Sequence, residues 1–551
     1  MASSNRGSLR QLLPDQQRIE AEPRNLDRLR INASPSAHRL SATYSPTVLI
    51  AESHPIRATG RTVNPTSTMD GARIRTVYGW EWEDFEDLIQ SCHSRITDAG
   101  PLRVPICSFD VRRDEKLELR LVVRSPQDAA GGTKAPPAGA VRFNTDKVIF
   151  SSDLGLKFVA EGVHVDRSNT RIHDDPALGE LVQDCSVHRI AGSIYPEDRP
   201  VTFVIDWLDN LNPIFLWPDN ITTSSSGERN VVLGSGANSI TMRGSSSPGG
   251  SGNRCVHLLV DGQNFFLCCA DRPACDRQSK RGFIVYDGNP SHEFRDQIRR
   301  CLSFTMGLYL VYLGHTTFDS NWHTVHFEAI SAYSLGGRAF ELGPMPPAPL
   351  GSRYDWEIDR AMLSRSVNLI FTQYKSLNFG MMSWAYWHAV AATAHIAGAH
   401  WGAAIESLER AFLQTTTLSV KRTLLPDAEW RSIHQAIETA LSAGNIDPDA
   451  AKILRNKITS LNRAPQSEVT GDLLAQLGLQ FGEREKKAAA MVRNKSAHGK
   501  DDEVDLEWVR DLKLLRVRFH RMLFAMTGAS DLYYDYFTLG RPTRKLADAI
   551  S

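Results

Sequence analysis

The feature that most constrains this chain is LGPMPPAPLGSR at 342–353, where four prolines and two glycines fall in twelve residues. Proline fixes φ and removes a backbone donor, so neither helix nor strand runs easily through such a stretch. The segment is expected to be an extended boundary, with one texture before it and another after. Before it, LELRLVVR (117–124), DKVIFSS (146–152), PVTFVIDWL (200–208), VHLLVDGQNFFLCCA (256–270) and RGFIVYDG (281–288) are rich in β-branched and aromatic residues. Gly, Pro, Asn and Asp punctuate them, which is the signal of a β-rich region over 74–345. Two stretches inside it have helical spacing: 82–96, ending SCHSRI, and 292–313, HEFRDQIRRCLSFTMGLYLVYL. The Ser/Gly-rich run at 222–253 predicts a surface loop in its second half.

After the boundary the apolar period becomes helical. Leu363, Val367, Ile370 and Tyr374 step 4-3-4, Ile405, Leu408 and Phe412 step 3-4, and Trp430, Ile433 and Ile437 repeat that step. Asp447-Pro448 opens a further helix, with Ile453, Ile458 and Leu461 expected inward. A last long helix carries Trp508, Leu512, Leu515, Phe519, Leu523 and Met526, behind the acidic run Asp501, Asp502, Glu503 and Asp505. Residues 346–551 therefore predict an all-α bundle of five or six helices. The fold class expected is α+β and multidomain, with a β-rich N-terminal domain followed by this bundle. Residues 1–73 are polar, Pro/Ser/Arg-rich and without a steady period, and predict a largely disordered basic arm.

Charge narrows the function classes. Across 551 residues, 63 Lys+Arg balance 63 Asp+Glu, so affinity from bulk positive charge is excluded and any nucleic-acid chemistry needs a focused site. Residues 351–551 hold 10 Lys and 16 Arg against 23 acids, so the bundle's excess of about +3 decides nothing either. Eight cysteines in so long a chain do not form a disulfide framework. Cys268, Cys269 and Cys275 near His257 lack paired zinc-ligand arms and are expected to be ordinary thiols. No secretory signal opens the sequence. The most membrane-like run, 384–405, carries His388, His395 and His400 and fits a buried helix better than a span. The expected location is cytoplasmic, with no membrane partner. His388 and His395 are seven apart and predict one shared helix face. In NWHTVHFE (321–328), His326 and Glu328 share one strand face and His323 takes the other, which does not make a metal site, and structural polar residues are expected there. LGSGANS (233–239) lacks the strand–turn–helix context of a phosphate loop.

The sharpest local motif is MVRNKSAHGK at 491–500. Of 17 histidines only His498 has an Arg five positions before it. About one or two such pairs arise by chance at this composition, and requiring Asn after the Arg lowers that to on the order of 0.1. Imidazole suits proton transfer near neutral pH, and guanidinium stays cationic and grips phosphate oxygens in pairs. His498 is thus the candidate for proton transfer and Arg493 for transition-state stabilisation. Asn494 lies one helical turn before His498, placed to orient the imidazole, and Lys495 is a candidate phosphate contact. In a regular helix Arg493 and His498 point about 140° apart, so a two-fold axis beside the helix would bring two of each into one groove. An Arg and a His at a helix end can equally complement the dipole and cap carbonyls.

Through Arg493, Asn494, Lys495, Ser496, Ala497, His498 and Gly499 the chain resembles the HEPN family of helical-bundle ribonucleases, and in particular its ApeA-like branch associated with bacterial anti-phage defence. The order of a large N-terminal domain and a C-terminal bundle is similar too. The resemblance implies a metal-independent endoribonuclease without a cofactor, a homodimer whose two motifs build one cleft, and RNA as substrate. An acidic residue in an earlier helix is a further family feature, and Glu406 in AAIESLERAF matches it best. Analogy with the branch implies a phage-derived trigger acting on the N-terminal domain. The alternative from another class is a non-catalytic scaffold that dimerises through the bundle and binds a ligand through the β-rich region.

Overall fold

A computed structural model describes residues 94–550 apart from 133–145, 153–155, 172–178, 194–198, 212–214, 225–229, 244–249, 270–281, 352–356, 416–422, 445 and 489–505. The arm expected over 1–73 and residues 82–93 of the first expected helix lie outside the described residues. The described residues belong to one compact unit. The strands begin with β1 (Ser94–Asp98), β2 (Arg103–Val104), β3 (Ser108–Arg113), β4 (Leu119–Pro126), β5 (Ala130–Gly131), β6 (Lys147–Ser152) and β7 (Lys157–Glu161). Next come β8 (His164–Arg171), β9 (Glu180–Val187), β10 (Arg189–Ser193), β11 (Phe203–Asp209), β12 (Asp219–Ser224), β13 (Asn230–Ser235) and β14 (Asn238–Arg243). β15 (Gly250–Val260), β16 (Gln263–Cys269) and β17 (Gly282–Asp287) precede helix α1 (His292–Met306), and β18 (Val311–Phe318) and β19 (Thr324–Ile330) follow it.

Thirteen of these strands form one antiparallel sheet in the order β1-β6-β7-β10-β19-β18-β11-β17-β16-β15-β12-β13-β14, and β3-β4-β9-β8 form a second. The residues explain the layering. In β4 and β9 every second side chain is buried, as expected for a sheet covered on one face. β11, β16 and β17 are buried almost throughout and are covered on both. Phe109 of β3 meets Phe150 of β6 with ring centres 5.2 Å apart, which joins the two sheets. Between β15 and β16, Asp261 and Gly262 both take positive φ, the two-residue reversal whose twist matches its strands. LGSGANS is also a two-residue reversal, between β13 and β14, with Gly236 at positive φ and Ala237 not. Within the loop expected for the second half of 222–253, residues 238–243 and 250–253 are strand instead, and 244–249 lie outside the described residues.

Two helical expectations before the boundary are corrected. Ser94–Ile96, assigned to a helix, pair with β6 as the edge strand β1. The helix expected to run to 313 stops at Met306. Gly307 takes φ +62°, its N–H donates to the Phe304 and Ser303 carbonyls, and the chain re-enters the sheet as β18.

After the boundary come α2 (Arg360–Thr372), α3 (Phe379–Ala391), α4 (Ala394–Thr415), α5 (Asp427–Ala443), α6 (Pro448–Ile458), α7 (Gln466–Gln476), helical residues 483–488 and α8 (Leu506–Thr527). The run 384–405 is two helices rather than one, because the chain breaks at Ala392-Thr393. His388 and His395, expected on one helix face, therefore fall on different helices, and His388 stacks on His400 of α4 with ring centres 5.6 Å apart. The apolar stripe of α5 is not a core face. Ile433 is 43% exposed and no residue of that helix is buried, while Ile453 and Leu461, expected inward, are 57% and 56% exposed. The chain also does not end in helix. Beyond Gly528 it forms the hairpin β20 (Leu532–Tyr534) and β21 (Thr543–Lys545), and Tyr536 Oη donates to the Pro346 carbonyl at 2.5 Å.

Sheet and helices share one buried apolar cluster, from Val148 and Phe158 to Leu408 and Phe519. Phe304 of α1 sits at its centre, with ring centres 5.9 Å from Phe379, 5.2 Å from Tyr386 and 6.1 Å from Phe519. The architecture is α+β. Among the described residues no helix is long and apolar enough to cross a membrane.

Candidate functional site

Two polar assemblies stand out, one in the helical part and one on the large sheet. Arg493, Asn494, Lys495 and His498 lie outside the described residues, in the segment between helical residues 483–488 and α8. The frame on both sides of that segment is described. Glu485 and Arg521 of α8 pair at 2.9 Å with almost no exposure, and Arg521 also donates to the Leu546 and Gln480 carbonyls. Burial raises the pKa of Glu485, partly offset by backbone donors and Arg521. One helical turn earlier in α8, Arg518 donates to Glu409 of α4 at 3.3 Å, and Thr470 of α7 reaches the same carboxylate at 3.0 Å. Arg516 donates to Tyr386 Oη at 3.3 Å. Glu406, one turn before Glu409, is half-buried on α4.

Removing one member of such a pair leaves an uncompensated charge, so these arginines lock α8 against α4 and residues 483–488. Sequence periodicity missed them because α8 looked amphipathic with its charges outward. The available signal was R-x-R-x-x-R at 516–521 inside a helix already apolar at 512, 515, 519 and 523.

On the large sheet, register alone builds the second assembly. Asp206 of β11 lies opposite His315 of β18, which lies opposite Glu328 of β19. Two residues along, Thr317, His326 and Ser193 form a neighbouring row across β18, β19 and β10. Alternate residues of a strand share a face, so His326 and Glu328 join His315 there. One ligand atom from each of these three lies within 4.8 Å of the others. Each is held by a further partner. Tyr312 Oη is 3.1 Å from His315 Nδ1, Ser193 Oγ is 3.3 Å from His326 Nδ1, and Arg189 meets the second Glu328 oxygen at 2.6 Å.

Arg295 and Arg299 of α1 both bond the fully buried carboxylate of Asp206, and Arg299 lies over the Tyr312 ring at 3.8 Å. The Tyr286 hydroxyl, buried beside Asp206, has no hydrogen-bond partner among the described residues. Burial, reinforced by Arg295, His326, His292 and Arg299, holds His315 well below the usual imidazole range, so it is neutral at pH 7. Next to the strip, Arg299, Tyr312, Tyr309 and Trp387 line a cavity of about 360 Å³ between α1, α3 and β18. The sequence paired His326 with Glu328 and found no third donor on that strand. The third donor comes from the neighbouring strand, and only strand pairing reveals it.

Comparison with family models, curated proteins and solved structures returns no match to this chain.

Proposed function

We propose that this chain is a metal-independent endoribonuclease of a bacterial anti-phage system, with Arg493 and His498 as its reacting groups in a dimeric cleft. The observation that carries it is the R-N-x-x-x-H-G motif, residues 493–499, at its place in the helical C-terminal part. The locked frame of Glu485–Arg521 and Glu409–Arg518 supports it, because a catalytic segment needs rigid elements on either side to hold its geometry. In this mechanism His498 takes the 2′-hydroxyl proton as that oxygen attacks phosphorus. Arg493 binds the non-bridging oxygens as negative charge builds on them, and the second protomer's imidazole returns a proton to the departing 5′-oxygen. The products are a 2′,3′-cyclic phosphate and a 5′-hydroxyl. Single-stranded or looped RNA is the substrate class, since unstacked nucleotides reach the in-line geometry that helical RNA resists. The β-rich region would hold the activity in check until a phage-derived ligand binds.

The test is induced expression of the full chain with and without phage challenge, beside Arg493→Ala and His498→Ala, followed by inspection of total RNA in chelator-containing buffer. Discrete fragments from wild type, reduced about 10²–10⁴-fold by His498→Ala with folding unchanged, are expected. Fragmentation that persists in both variants overturns the assignment of these residues. Intact RNA under challenge, from a folded chain, overturns the nuclease in favour of a binding scaffold.

A further inference from the structure

We propose that His315, His326 and Glu328 form a binding site for a divalent transition-metal ion of the zinc class on the α1-covered face of the large sheet. Two imidazoles and a carboxylate are the donor set that such ions select over magnesium and calcium, which prefer oxygen alone. The donor atoms already lie within 4.8 Å of one another. Tetrahedral bonds of about 2.1 Å place donors about 3.4 Å apart, so closing on an ion takes only small side-chain rotations. Metal sites orient their ligands through an outer ring of partners, and His326 and Glu328 have such partners in Ser193 and Arg189. Ser193 Oγ lies 3.3 Å from His326 Nδ1, Arg189 meets one Glu328 oxygen at 2.6 Å, and the other Glu328 oxygen stands 3.8 Å from His315 Nδ1.

The nearby cations have acidic partners: Arg295 and Arg299 share Asp206, Arg299 also meets Asp296 at 3.4 Å, and Arg189 also meets Glu161 at 3.1 Å. Three protein donors leave a fourth position for water or for a donor atom of a ligand. The site is separate from Arg493 and His498 in sequence, and it does not rest on the nuclease reading.

The experiment is Zn²⁺ and Co²⁺ titration of the full chain after chelator stripping, by equilibrium dialysis and absorption spectroscopy. One ion per chain is expected, with visible Co²⁺ ligand-field bands and no thiolate charge-transfer band. The doubly substituted His315→Ala/His326→Ala chain should lose that ion, and Ser193→Ala should bind it about tenfold more weakly. Arg493→Ala should bind it as wild type does, which separates this site from the nuclease motif. Unchanged stoichiometry in the double variant, or a thiolate band pointing to cysteines such as Cys268 and Cys269, overturns the proposal. X-ray absorption of the Co²⁺-loaded wild type reads the same ligands without any substitution: imidazole and oxygen scattering supports the site, and sulfur scattering overturns it.

Discussion

Single residues here do most of their work where a polar group is buried. His520 of α8 is fully buried, with Nε2 3.2 Å from Tyr386 Oη and Nδ1 without a partner among the described residues. Burial, with Arg516 nearby, holds its pKa well below the ordinary 6.5. The folded chain therefore leaves His520 unprotonated where the unfolded chain takes up a proton, so proton binding favours unfolding below pH 6.5. His315 acts in the same direction. Stability should fall on going from pH 6.5 to 5, by at most about 1.4 kcal/mol per pH unit for each such histidine. Urea midpoints measured from pH 7.5 to 5 check this, and His520→Gln should flatten the slope by one histidine's share. An unchanged slope would mean that His520 is protonated in the folded chain.

At the scale of elements, the end of α1 shows how one backbone angle directs a chain. Leu308, Leu310 and Val311 continue an apolar run that read as helix, yet Gly307 turns the chain into β18. A Cβ at 307 would stand 2.0 Å from the Met345 backbone carbonyl, and an L-residue at φ +62° is itself strained. Gly307→Ala should cost at least about 1–3 kcal/mol in chemical denaturation, with loss of the close contact to the boundary segment. α5 and α6 teach the complementary point. Their apolar residues recur at helical spacing, so the helices were legible, but Ile433 and Ile453 remain exposed. Periodicity says which residues share a face and nothing about what covers that face.

At the scale of the molecule, the proline-rich segment divides textures without dividing the core. Phe304 of α1 packs on Phe379, Tyr386, Phe519 and Phe524 from the helices, and Tyr536 bonds back to Pro346. Sheet and helices should therefore unfold together. Helical circular dichroism and the near-ultraviolet signal of the buried Trp207 and Trp322 should give coincident denaturant transitions. Two separated transitions would show that the halves are independently stable. Residues 346–551 alone should expose the aromatic surface that Phe304 covers and aggregate, which is why the nuclease test uses the full chain.

The sequence by itself determined the local preferences of this protein. β-branched and aromatic runs gave β4, β6, β11 and β15 to β17, and Asp447-Pro448 gave the start of α6, because strand propensity and capping depend on a few neighbouring residues. The R-N-x-x-x-H-G motif was legible for the same reason. Tertiary structure decided the rest: that β1 is a strand, that α8 turns three arginines inward to Glu409, Glu485 and Tyr386, and that His315 stands beside His326 and Glu328. Each of these depends on partners far away in the chain. Only folding brings such partners into register, and no local periodicity encodes them.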